Sequence, residues 1–139
     1  MTAGAQRILT EASGSLTAGY LIRSIQQAGH ECVASDIDPR CFGSALADHF
    51  MLMPKASDPD LWSTIEQLLV QFRIDMVIPS LDEMLGGWAE RRALLRQRAG
   101  THVVVSDPAT VAVCQDKWLT YEFFAANSVP TPASSLEQK

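Results

Sequence analysis

Three short segments carry residues whose types and spacing could do chemistry. The first is Glu11-Ala12-Ser13-Gly14-Ser15-Leu16-Thr17-Ala18-Gly19, a run of small and polar residues after an apolar stretch. A dinucleotide fingerprint would read Gly-x-Gly-x-x-Gly, and that pattern is absent. Gly14 and Gly19 have the spacing of the two P-loop glycines, but Tyr20 and Leu21 stand where Lys and Ser/Thr would grip phosphate. What remains is a tight turn with free backbone N–H groups at a helix start. It can hold an anion or simply connect two elements. The second segment is Asp36-Ile37-Asp38-Pro39. An acid at the end of a second strand could hold a ribose hydroxyl, although Asp-x-Asp-Pro is also ordinary turn chemistry. The third is Ser80-Leu81-Asp82-Glu83. Its adjacent carboxylates could bind a cationic or hydroxylated substrate or tune each other's protonation. They could equally serve as favourable charges in a helix's first turn.

Other candidates carry less. Arg91, Arg92, Arg96 and Arg98 crowd one helix end, where cations suit the dipole and water solvates them. His30, His49 and His102 show no metal-ligand spacing on one element. No serine or cysteine stands in a recognised nucleophile motif with a histidine. Cys32, Cys41 and Cys114 are odd in number and far apart, which fits buried thiols in a reducing cytoplasm rather than a disulfide framework. No metal site and no catalytic residue is expected.

These segments must be positioned by the elements between them. Arg7–Thr10 reads as a buried strand. A helix follows with Leu16, Tyr20, Ile25 and Ala28 on one face, stopped by Gly29. Glu31–Ser35 and Phe50–Met53 read as strands two and three, with a short helix around 44–47 between them. Asp58-Pro59 marks a helix start, and Leu61, Ile65, Leu68, Leu69 and Phe72 form its stripe. Asp75–Pro79 is strand four, 83–98 is helical with Gly100 after it, and His102–Val105 is strand five. Asp107-Pro108 and Asp116 begin two further helices, and Val129-Pro130-Thr131-Pro132 reads as a linker. This alternation predicts an α/β fold of three layers, α/β/α, on a mainly parallel, five-stranded Rossmann-like sheet. Ligands of such sheets bind beyond the carboxyl ends of the strands where strand order reverses, which is where the three segments fall.

Composition bounds the function. With 139 residues, 47% of them apolar, the chain holds one core-forming domain. Its formal charge of −5 argues against nucleic acid and against an anionic membrane as partners. No signal peptide is visible after Met1, and no stretch has the length of a membrane-spanning helix.

One ordered set of residues resembles a known family. Ser106-Asp107-Pro108-Ala109-Thr110-Val111, then Gln115-Asp116-Lys117, then Leu119-Thr120-Tyr121-Glu122-Phe123-Phe124, then Val129-Pro130-Thr131-Pro132, look like the junction that leads into the ATP-binding domain of ATP-grasp ligases. Ile8-Leu9-Thr10, Ala28-Gly29-His30, Ala34-Ser35-Asp36-Ile37-Asp38-Pro39, Ala47-Asp48 and Ile74-Asp75-Met76-Val77-Ile78-Pro79 resemble the domain before it. That is the front domain of the carbamoyl-phosphate-synthase-like and biotin-carboxylase-like members.

The resemblance implies residues 1–128 as a pre-ATP-grasp domain, with 129–139 as a linker or the start of an ATP-grasp domain that is missing here. It implies that the whole protein phosphorylates a small-molecule carboxylate with ATP and magnesium, and that an amine attacks the acyl phosphate. Ser13, Gly14, Asp82 and Glu83 match positions facing the substrate, and Lys117 matches a lysine that contacts ATP. This segment by itself is then expected to be inactive and to hold no cofactor tightly. The loop 11–15 is poorer in glycine than family loops and lacks the arginine that many carry. Two other functions are weighed against this one: a Rossmann-type nucleotide- or NAD(P)-binding oxidoreductase domain resting on Asp36 and Asp38, and a non-catalytic module that forms a homodimer through Trp62, Trp88 or Trp118.

Overall fold

The computed structural model describes residues 4–136. Among them, five strands and six helices alternate: β1 Arg7–Thr10, α1 Ala18–Gln27, β2 Glu31–Asp36, α2 Gly43–Leu46, β3 His49–Leu52, α3 Leu61–Gln71, β4 Met76–Ile78, α4 Asp82–Ala99, β5 His102–Val103, α5 Pro108–Gln115 and α6 Lys117–Ala126. The strands form one sheet in the order β3-β2-β1-β4-β5, and every pair is parallel. The expected "mainly parallel" sheet is therefore parallel throughout. The chain divides into two compact units, one ending at Val105 and the other beginning at Ser106.

The period of two along each strand assigns the faces. Leu9, Val33, Met51, Val77 and Val103 point to one side, where Leu61, Ile65 and Leu69 of α3 and Met84, Trp88 and Leu95 of α4 cover them. Ile8, Cys32 and Ala34 point to the other side, against Ile22 and Ile25 of α1 and Leu46 of α2. Helices on both faces make the three-layer α/β/α sandwich. Gly29 and Gly100, at φ +83° and +72°, end α1 and α4 in the left-handed conformation that glycine adopts without strain. Asp107 caps α5 by accepting from the Thr110 N–H at 2.9 Å, and Asp116 caps α6 by accepting from Trp118 and Leu119.

Three expectations need correction. The buried stripe of α1 is Ala18, Ile22 and Ile25, whereas Leu16 is 90% and Tyr20 80% exposed. Leu16 precedes the helix, and the spacing that points inward runs from Ala18. Second, α3 begins at Leu61, not at Pro59. Asp58 forms a turn of its own, accepting from the Asp60 N–H at 2.9 Å, before the helix starts. Third, β5 is two residues long and stops before Val104, which is half exposed at the sheet's edge.

The α3–α4 contact is tight at one point. Trp62 lies edge-on to Trp88, with ring centroids 5.1 Å apart and planes at 87°. The Arg91 guanidinium stacks 4.5 Å above the Trp62 ring. Gly87 completes this packing, because a Cβ there would overlap the Trp62 ring. With Trp88 on one side and Arg91 on the other, the ring has little room to yield. Gly87→Ala should therefore destabilise the first unit. The overpacking costs about 1–3 kcal/mol, and the gain of about 1 kcal/mol from removing a mid-helix glycine offsets it only in part. Urea unfolding followed by tryptophan fluorescence measures the balance. A stabilised variant would contradict this packing account.

Candidate functional site

The strand order places β1 beside β2 on one side and β4 on the other. The order reverses at β1, so the crevice beyond its carboxyl end is the expected ligand position. The loop after β1 is built to a fixed shape there. Ala12 takes φ +47°, an unfavourable conformation for a residue with a Cβ. Ser13 clasps the end of β2: its N–H donates to the Ser35 carbonyl at 3.0 Å, and its hydroxyl accepts from the Ser35 N–H at 3.0 Å. The Ser35 hydroxyl donates back to the Thr10 carbonyl at 3.0 Å. Gly43 of α2 presses on the same loop, since a Cβ on it would stand 2.5 Å from the Ser13 carbonyl oxygen.

The expected site residues fall unevenly around this loop. Ser13 is fully buried, and its polar atoms serve the clasp. Gly14 is exposed, and its N–H donates to Asp36 Oδ2 at 2.8 Å. Asp36 Oδ1 accepts from the Asp38 N–H at 3.1 Å. Both Asp36 oxygens thus hold backbone, which is turn chemistry, and the carboxylate also lines the cleft. Asp82 and Glu83 are exposed in the first turn of α4. Lys117 is the exposed first residue of α6, in the second unit.

Glu11 heads the first candidate segment but was given no role of its own, yet it is the most unusual group in the site. Glu11 is only 3% exposed. The Trp88 indole N–H donates to its Oε1 at 2.8 Å, and the Ser80 hydroxyl donates to its backbone carbonyl at 2.7 Å. Its Oε2, like the neighbouring Thr10 Oγ1, has no hydrogen-bond partner among the described residues. Burial pushes the Glu11 carboxyl above its ordinary pKa. The Trp88 indole and the backbone at Ser80 and Leu81 pull the other way but do not cancel the shift.

Glu11 lines a cleft of about 510 Å³ at the carboxyl ends of β1, β2 and β3, within the size range of small-molecule sites. Ile37, Met53, Leu81 and Met84 give it apolar walls, and Asp36 and Lys55 also line it. Among the described residues, Ser13, Gly14, Asp82 and Glu83 are neighbours of this lining and not part of it. Asp36 of this lining was legible from sequence, while its apolar walls were not. The advance signal for Glu11 was a carboxylate directly after a strand whose last three residues are buried. Among the described residues, no three His, Cys, Asp or Glu side chains stand together as a metal site, and no helix is long and apolar enough to cross a membrane.

No protein-family model and no curated protein sequence matches the chain. Solved structures do. N5-carboxyaminoimidazole ribonucleotide synthetase from Thermotoga maritima superposes with a TM-score of 0.67 at 21% identity, covering 92% of this chain and 32% of that one. L-amino acid ligase from Bacillus licheniformis gives 0.68 at 15% identity, covering 94% and 32%. The biotin carboxylase domain of Hydrogenobacter thermophilus 2-oxoglutarate carboxylase, in complex with MgADP and bicarbonate, gives 0.66 at 16% identity, covering 93% and 29%. These are ATP-grasp enzymes. The chain has the fold of one part of them. At these identities the likeness is one of fold, and the chain spans about a third of their length.

Glu11 has a signature in stability. Its pKa is 4.5 as an ordinary glutamate in the unfolded chain and higher in the fold. Between those values the native state binds more protons than the unfolded state. Its favourable contribution is therefore complete below 4.5 and is lost as pH rises through the folded value. Glu11→Gln keeps an acceptor for Trp88 and cannot ionise. The unfolding free energy of the wild type, minus that of Glu11→Gln, should fall as pH rises from 4.5 towards neutrality. Urea titrations of both proteins across that range test this, and a pH-independent difference would show that Glu11 is not held in a desolvated site.

Proposed function

We propose that the chain is the substrate-side front domain of an ATP-dependent carboxylate–amine ligase of the ATP-grasp type. The observation that carries the reading is the parallel β3-β2-β1-β4-β5 sheet, with a cleft at the carboxyl ends of β1, β2 and β3, in a chain that superposes on a third of three ATP-grasp enzymes. In this reading residues 1–128 form the front domain, and 129–139 lead into a domain that supplies the phosphate-covering loop and the carboxylates for magnesium. Magnesium is assigned no ligand in this chain. ATP supplies the phosphoryl group that activates the carboxylate.

This chain's own residues bind and position. Ser13 and Gly14 shape the loop under the substrate, and Asp82 and Glu83 put negative charge at the crevice mouth. Lys117, an exposed cation at the start of α6, contacts ATP phosphate as a point charge. The partner of this domain is the ATP-grasp domain, and the substrate is a small carboxylate. A soluble, cytoplasmic setting suits that chemistry.

The test uses the polypeptide extended through the downstream domain. It should release ADP only when a carboxylate and an amine are both supplied, and this chain by itself should release none. In the extended protein Lys117→Ala should raise the KM for ATP about tenfold, a loss of about 1.4 kcal/mol, with the KM for carboxylate unchanged. An extended protein that releases no ADP with any carboxylate–amine pair would overturn the reading.

A further inference from the structure

The 510 Å³ cleft presents mostly hydrocarbon to a ligand. Ile37 walls it after β2, Met53 and Pro54 after β3, and Leu81 and Met84 at the start of α4. Ile37 is 59% exposed, so part of this apolar wall stands in water. Covering it with an apolar group is favourable. The polar groups of the lining are mostly engaged inside the fold. The Glu11 carboxyl faces the Trp88 indole and the backbone at Ser80 and Leu81. Asp36 holds the Gly14 and Asp38 N–H groups, and the Ser35 hydroxyl donates to the Thr10 carbonyl. Lys55 differs. It is exposed, it is the one cation among the described residues of the lining, and its ammonium has no partner among the described residues. A phosphorylated polyol would need several donors on a dianion, and one lysine in a lining shared with Asp36 does not supply them. Bicarbonate has no body to cover the walls. An apolar body with a single negative charge meets both features.

We propose that the cleft takes a monocarboxylate with a branched aliphatic or aromatic body, the body against Ile37, Met53 and Leu81 and the carboxylate at Lys55. The ligase reading leaves the kind of acid open, and this inference names it. It rests on that reading for the ligand's role, while binding itself follows from the lining of the cleft. The walls set most of the selectivity, because burial of the ligand's body scales with the apolar area covered. Lys55 contributes less, since an exposed ion pair is screened by water. The Asp36 carboxylate in the same lining disfavours a second negative charge on the ligand.

The test titrates this chain with phenylacetate, acetate, benzyl alcohol and glycerol phosphate. The readout is the methyl resonances of Met53 and Met84, which line the cleft. Phenylacetate should bind at least about tenfold more tightly than acetate or glycerol phosphate and should shift both methyls. Ile37→Ser should weaken phenylacetate and benzyl alcohol alike, about threefold. Lys55→Gln should weaken phenylacetate about threefold and leave benzyl alcohol unchanged. Both positions are exposed, so neither substitution endangers the fold. Acetate or glycerol phosphate binding as tightly as phenylacetate, no binding of phenylacetate, or wild-type affinity for it in either variant would overturn the proposal. Selective phenylacetate binding by this chain, with no ADP release by the extended protein, would uphold the cleft's preference and remove the ligase reading alone. ADP release with polar acids only, and no phenylacetate binding here, would keep the ligase reading and overturn the preference.

Discussion

The Trp88 indole donates to Glu11 across 77 residues of sequence, and much of the molecule's organisation depends on this contact. Trp88 is the largest fully buried side chain. Its ring packs between the sheet and Trp62 while its one polar atom finds an acceptor at the end of β1. A buried tryptophan needs such an acceptor, and a buried glutamate needs such a donor. Each removes the other's penalty in part, and together they join the core of the first unit to the crevice. The apolar packing that stabilises the fold and the polar group that gives the crevice its character therefore share one side-chain pair.

The remaining loop chemistry follows from that anchoring. With Glu11 drawn inward, the chain must turn sharply to reach α1, and Ala12 takes a left-handed conformation to do so. Ser13 and Ser35 then satisfy the backbone groups that the turn leaves inside the protein. Asp36 closes the outer side by holding the Gly14 N–H. The aspartate that suggested a ribose ligand serves as a loop clamp, and the absence of a glycine fingerprint agrees with a loop braced by side chains.

Much of the architecture was legible in the residues. Arg7–Thr10 read as a buried strand because its middle residues Ile8 and Leu9 face the two covered sides of a parallel sheet, whereas the Val-rich run before Ser106 read two residues too long, since β5 ends at Val103. Gly29, Gly100, Asp107 and Asp116 marked helix ends through backbone chemistry that does not depend on tertiary context. The misread features depended on context. The α1 face was misassigned because Leu16 and Tyr20 are apolar yet point to solvent. Pro59 looked like a helix start, but Asp58 spends its side chain on a preceding turn. At the site, the switch-point rule pointed to the segments after β1 and β4, but which side chains enter the cleft depends on cross-sheet partners. Glu11 could be picked out only after Trp88, far along the chain, was seen beside it.

The central proposal is that this crevice serves as the front part of an ATP-grasp-type ligase and not as a dinucleotide-binding site. Calorimetric titration of the chain with NAD(H), NADP(H) and Mg-ATP in parallel tests it most directly. The account predicts no dinucleotide binding and at most weak heat with Mg-ATP, because the loop after β1 lacks the glycine fingerprint that lets a pyrophosphate approach the backbone. Micromolar dinucleotide binding, about −8 kcal/mol, would contradict it and return Asp36 to the role of a ribose ligand.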